Sequence, residues 1–153
     1  MDKVQLLLNI HSHQPVGNFI KVFEMAYDRC YGLFIDALLN HPKVKAGLHF
    51  TGPLLEWLDD HRPEALEKVK EMVTRGQVEV LGGGFYEPML AILPREDALG
   101  QIAMMGDQAE KLLGQRPRGM WLAERVWEPS LPELMYDSGI KYTLLDDTHF
   151  FQI

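Results

Sequence analysis

Val78-Glu79-Val80-Leu81-Gly82-Gly83-Gly84-Phe85-Tyr86-Glu87-Pro88 is the stretch that decides the fold. It begins as a short apolar run of strand length and breaks at three glycines. Two aromatics, an acid and a proline follow the break. The same kind of unit recurs along the chain. Short apolar runs lie at 4–10, 44–50, 78–82, 118–122 and 141–145, with longer amphipathic stretches between them. That alternation predicts an α/β fold built as a parallel βα repeat.

Helix punctuation agrees. Pro63 opens a helix that should end at Gly76, with Leu66, Val69 and Val73 on one face. Pro94 opens another, closing near Gly114. Ser130-Leu131-Pro132-Glu133 has capping-box spacing, and Gly139 is the expected stop. The first crossover, roughly 19–40, is less regular. Its aromatics Phe19, Phe23, Tyr27, Tyr31 and Phe34 keep a helical spacing with a break.

Each unusual cluster follows a strand. His11-Ser12-His13-Gln14-Pro15 follows the first, and His49-Phe50-Thr51-Gly52-Pro53 closes the second. Gly82–Pro88 follows the third, Glu124 the fourth, and Asp146-Asp147-Thr148-His149-Phe150 the fifth. In a parallel βα sheet or barrel these strand ends share one face, where active sites form. The opposite loops, His41-Pro42-Lys43 and Thr74-Arg75-Gly76, carry ordinary turn chemistry.

Bulk properties narrow the function. The 153 residues fit one domain, and the formal net charge of −7 argues against a nucleic-acid partner. No apolar run approaches the roughly 20 residues of a membrane span. Met1-Asp2-Lys3 leading into Val4-Gln5-Leu6-Leu7-Leu8 lacks the features of a signal peptide, and its apolar run reads as a buried strand. Cys30 is the only cysteine, so no internal disulfide can form, and a cytoplasmic location is expected.

The candidate chemistry centres on Trp121-Leu122-Ala123-Glu124-Arg125-Val126-Trp127-Glu128-Pro129. Indole faces stack on sugar rings, a carboxylate can attack an anomeric carbon, and a neighbouring cation keeps it ionised. A surface acid, a helix N-terminal charge or an Arg125 ion pair are the plainer readings of Glu124. Its position after a strand and between two tryptophans favours function. Glu128, beside Pro129 and a helix start, reads as a cap or support. His11 and His13, two apart on a strand end, point to one side and suit either a sugar hydroxyl or a metal. A metal would need a third ligand from Glu87, Glu124, His49, Asp146, Asp147 or His149, and no firm metal spacing is present. Tyr86 and Glu87 offer an aromatic platform and an acceptor. The glycine triplet is not a dinucleotide fingerprint.

Taken together, HSHQP at 11–15, GGGFYEP at 82–88 and WLAERVWEP at 121–129 resemble three signature segments of glycoside hydrolase family 57. HSHQPVGNF, HFTGPLLEWL, GGGFYEPMLAILP and DDTHF are most similar to its 4-α-glucanotransferase and α-amylase branch. The resemblance implies a (β/α)7 TIM-like barrel acting on α-1,4-linked glucans with retention. It implies that Glu124 is the nucleophile. It implies that His11, with His13 close by, contacts sugar near the scissile bond, and that Glu87 and Trp121 line the site. Tyr86, Trp127, His49 and Asp147 complete the expected substrate-binding set. No metal or organic cofactor is implied. The family's acid/base aspartate sits in a later segment, roughly Gly/His-Asp-Asp-Gly-Glu-Lys, which is absent from these 153 residues. The expectation is therefore that residues 1–153 are an N-terminal portion of a longer catalytic barrel, inactive alone and prone to self-association. Two rival readings stand beside it. One is a metal-dependent polysaccharide deacetylase-like barrel, which would need a further His-x-x-x-His segment. The other is a non-catalytic glucan-binding module.

Overall fold

The computed structural model describes residues 4–151. Five strands run in chain order: β1 (Asn9–Ser12), β2 (Ala46–Phe50), β3 (Val78–Gly82), β4 (Gly119–Trp121) and β5 (Tyr142–Leu144). They form one sheet in the order β1-β2-β3-β4-β5, with every pair parallel. Helical crossovers join them. The first is α1 (Ile20–Ala26), a π-helical turn at Tyr27–Tyr31 and α2 (Gly32–Leu39). The second is α3 (Gly52–His61) and α4 (Pro63–Thr74); the third is α5 (Arg95–Leu113); the fourth is α6 (Leu131–Asp137).

Strand alternation sorts the side chains onto two faces. Leu48, Phe50, Val78 and Val80 enter the larger apolar core with Ile35, Leu54, Leu58, Val69 and Met105 from the helices. Met120 enters a second core with Ile102, Leu131, Leu134 and Met135. The opposite face carries His11, paired in register with His49, and Trp121. On a flat sheet β1 and β4 would lie about 14 Å apart, three strand spacings. The rings of His11 and Trp121 nevertheless stack with centroids 4.4 Å apart, so the sheet curls toward this side. The fold is a partial TIM-like barrel whose hollow collects the strand-end residues.

The expected punctuation holds in most places. Pro63 begins α4, and Gly76 beyond it is left-handed at φ 69°. Gly114 caps α5 at φ 75°, and Gly139 follows α6 at φ 77°. The break in the first crossover is the π-helical turn.

Four expectations need correction. The first strand is 9–12 rather than within 4–10, and Val4, Leu6 and Leu7 are exposed. β1 lies at the sheet's edge among the described residues, and of the residues leading into it only Leu8 packs against the core. The second crossover holds a helix, α3, that opens at Gly52-Pro53, where the sequence suggested only the close of a strand. The Ser130 capping box does not form, and Ser130 has helical angles (φ −78°, ψ −20°). A capping side chain needs an extended residue facing the N–H of the second or third helical position, and Pro132 has no N–H to offer. Glu128 supports α6 only through its main-chain oxygen, which accepts from the Leu131 N–H at 3.0 Å. The reading of Met1–Lys3 lies outside the described residues.

Candidate active site

β1 and β2 bring two imidazoles side by side. His11 Nδ1 lies 2.8 Å from His49 Nδ1, and His11 Nε2 lies 3.2 Å from Glu87 Oε1. One hydrogen-bond assignment satisfies both contacts with neutral rings. His49 donates from Nδ1 to His11 Nδ1, and His11 donates from Nε2 to the Glu87 carboxylate. This leaves His49 Nε2 as a buried atom without a partner among the described residues. Burial holds both rings neutral: it is the largest cause lowering His11 to about 4 and His49 to about 3. His13, then Arg125, lowers His11 further, and His11 and His13 lower His49.

The loop after β3 supplies Glu87. Its carboxylate bridges the two histidines of the first segment, His11 through Oε1 and His13 Nδ1 through Oε2. The glycines ahead of it have separate tasks. A side chain on Gly83 would come within 3.0 Å of His49 Nε2 and 3.1 Å of the Trp121 carbonyl; one on Gly84 would meet Pro88 Cδ at 2.6 Å. Glu87 itself is left-handed at φ 54°, a region costly for a residue with a Cβ. Burial raises its pKa most, the His13 contact opposes this, and the Glu124 charge raises it again. The Trp121 indole favours the ionised form.

The loop after β4 is strained in the same way. Glu124 and Arg125 are consecutive left-handed residues at φ 51° and 50°. Trp121 stacks on His11 with a 6° interplanar angle. Glu124 is exposed, and its charge is felt at Glu87. Arg125 does not pair with Glu124. Its Nε lies 2.8 Å from Asp146 Oδ1, its guanidinium sits 5.4 Å above the Trp121 ring, and its carbonyl oxygen accepts from His149 Nε2.

Of the residues expected to touch sugar, His11, His13, Glu87 and Trp121 converge. His49 is fully buried, behind His11, to which it is hydrogen-bonded. Trp127 is partly buried and packs against the second core instead of standing free as a wall. Tyr86 is half exposed and packs edge-on to Phe85. Asp147 is exposed in a short 3-10 turn beyond β5, and its neighbour Asp146 makes the ion pair. One supporting group escaped the sequence reading. Thr51 Oγ1 and Gln14 exchange main-chain contacts at 3.1 Å, and the Tyr31 hydroxyl donates to the His13 carbonyl at 2.9 Å. Gln14 and Thr51 carry no periodic signal, and the helical spacing of Tyr31 marks a helix face without showing that its hydroxyl reaches His13, so only the fold brings them together.

Comparison with known proteins gives a consistent result. The family model for "Glycosyl hydrolase family 57" matches residues 3–152. An α-amylase of Pyrococcus furiosus is 48% identical over 149 residues, covering 97% of this chain and 23% of that protein. The crystal structure of a 4-α-glucanotransferase from Thermococcus litoralis superposes with a TM-score of 0.91 at 47% identity, covering 94% of this chain and 23% of that one. The chain thus spans about a quarter of the length of these relatives. A family 4 carbohydrate esterase from Streptomyces lividans shares the fold at 13% identity and a TM-score of 0.64, covering 92% of this chain and 62% of that one. No helix among the described residues is long and apolar enough to cross a membrane.

Proposed function

The chain belongs to glycosyl hydrolase family 57, and from that premise we propose that it carries the nucleophile side of a retaining site for α-1,4-linked glucans. It would act as part of a longer 4-α-glucanotransferase or α-amylase barrel. The proposed substrate is an α-glucan or maltooligosaccharide, and the proposed compartment is the cytoplasm.

A retaining enzyme needs two carboxyl groups about 5–5.5 Å apart, one to attack and one to protonate the leaving oxygen. In this reading the Glu124 carboxylate attacks the anomeric carbon and forms a glycosyl ester. Trp121 offers an aromatic wall, while His11, His13 and Glu87 orient the hydroxyls of the bound sugar. The second carboxyl group comes from outside these residues. Water as acceptor gives hydrolysis; a glucan hydroxyl gives transfer. The observation that carries the reading is the convergence of His11, Glu87 and Trp121 beside the strained loop that bears Glu124.

A fluorinated glucosyl fluoride tests it directly. Fluoride leaves without a proton donor, so attack does not depend on the second carboxyl group. The ester bond forms as the C–F bond breaks. Mass spectrometry should find one glycosyl adduct, mapped to Glu124 and lost in Glu124→Gln. A non-catalytic binding module would bind maltooligosaccharide and never be labelled. Zinc-dependent release of acetate from an acetylated oligosaccharide, without labelling, would establish the deacetylase reading instead.

A further inference from the structure

We propose that His11, His13 and Glu87 form a binding site for a divalent transition-metal ion of the zinc class, which excludes sugar from the same hollow. Exclusion of sugar rests on the function proposed above; binding of the ion does not.

The geometry comes first. One ring nitrogen from each histidine and a Glu87 oxygen lie within 4.8 Å of one another. Ligand atoms around a tetrahedral zinc ion, each at about 2.0–2.2 Å, stand roughly 3.4 Å apart. His11 Nε2 and Glu87 Oε1 are already at 3.2 Å. His13 is exposed, on the loop after β1, and can close the remaining gap. Two imidazoles and one carboxylate suit zinc, copper or nickel; calcium and magnesium prefer all-oxygen shells. Three protein ligands leave a fourth position toward the hollow.

The surroundings hold these ligands in place, as metal sites require. Trp121 stacked on His11 fixes the plane of that ring. His49 holds the other ring nitrogen of His11 at 2.8 Å. Tyr31 anchors the main chain at His13. The relay also adapts without gaining or losing a proton. When an ion takes the lone pair on His11 Nε2, His11 carries its proton on Nδ1 and donates to His49 Nδ1. His49 then carries its own proton on Nε2, so both rings change tautomer together.

Titration calorimetry on the tag-free, chelator-stripped 153-residue chain tests the site with zinc chloride, using calcium chloride as the comparison. The expected result is one zinc per chain and no saturable uptake of calcium. His13→Ala should weaken zinc binding at least tenfold with an unchanged circular dichroism spectrum. Imidazole 15N shifts should report the paired tautomer change at His11 and His49 in the unsubstituted chain. Absence of saturable zinc uptake, or an affinity in His13→Ala or Glu87→Gln equal to that of the unsubstituted chain, overturns the site. Maltotriose should raise the apparent zinc dissociation constant. If zinc binds, His13→Ala weakens it as expected and maltotriose has no effect, the ion site stands and the sugar role of the three residues falls.

Discussion

At the residue scale, Glu124 and Glu87 share a left-handed backbone (φ 51° and 54°) that neither side chain favours. Such a conformation costs about 1–2 kcal/mol in a residue with a Cβ. Strain of this kind persists where the surrounding structure imposes it, often at functional sites. Glu124→Gly should relieve it, offset in part by glycine's larger unfolded-state entropy. The expected gain over Glu124→Gln is about 0.5–1 kcal/mol, or roughly 1–4 °C in melting temperature for a chain of this size. Calorimetry on the two variants checks this, and a lower melting temperature for the glycine variant would mean that the loop is unstrained. A second prediction concerns pH. His11 and His49 are lowered to about 4 and about 3 in the folded chain, from an ordinary 6.5. Between those values the unfolded state binds more protons, so stability is full above pH 6.5 and falls as pH drops toward 4. Glu87, raised by burial, acts in the opposite direction as it protonates, but it is one group against two. His49→Asn should flatten the decline in melting temperature between pH 6.5 and 4; an unchanged slope would show that His49 is not held neutral. Residue types alone made the acid, histidines and tryptophan of the site legible. They could not reveal that His49 is buried, that Arg125 turns to Asp146, or that two acids have φ above zero. Each of these depends on neighbours far away in the chain.

At the element scale, legibility followed burial. β3 was read without error because Val78, Val80 and Leu81 are all buried between other layers, so its apolar run is continuous. β1 was read early because an edge strand carries less apolar demand, and Leu6 and Leu7 imitate one. α3 was missed because Gly52-Pro53 resembles a turn, although proline in the first turn of a helix is equally at home. The β3 loop gives the sharpest test at this scale. An added methyl at Gly84 meets the Pro88 ring at 2.6 Å, whereas at Gly83 it meets His49 Nε2 at 3.0 Å and the Trp121 carbonyl at 3.1 Å. Overpacking of this sort costs about 1–3 kcal/mol. Gly84→Ala should therefore lower the melting temperature more than Gly83→Ala. Gly83→Ala should act on the site itself, displacing His49 and with it His11 from the Trp121 ring. Tryptophan fluorescence and the His11 ring shifts read that displacement, and both remaining as in the unsubstituted chain would show that Gly83 is merely a turn residue.

At the scale of the whole molecule, the sheet is a curled ribbon with two edges. Among the described residues neither β1 nor β5 has a strand on its outer side, so both edges present unpaired backbone N–H and C=O groups. The approach to β1 adds exposed Val4, Leu6 and Leu7, and Phe19 and Ile20 are exposed in the crossover that follows. Exposed edges beside apolar side chains recruit further strands, and a second copy of the same chain is the partner present in any pure preparation. The 153-residue chain should therefore associate as its concentration rises. Sedimentation velocity over a hundredfold concentration range should show the mean coefficient increasing. Replacing Leu6 and Leu7 together with lysine should move that rise to higher concentration, because charge on an edge opposes pairing without touching either core. The substituted chain should keep the same circular dichroism spectrum, since both leucines are solvent-facing. A single concentration-independent monomer boundary for the unsubstituted chain would show that the curled sheet closes its own edges.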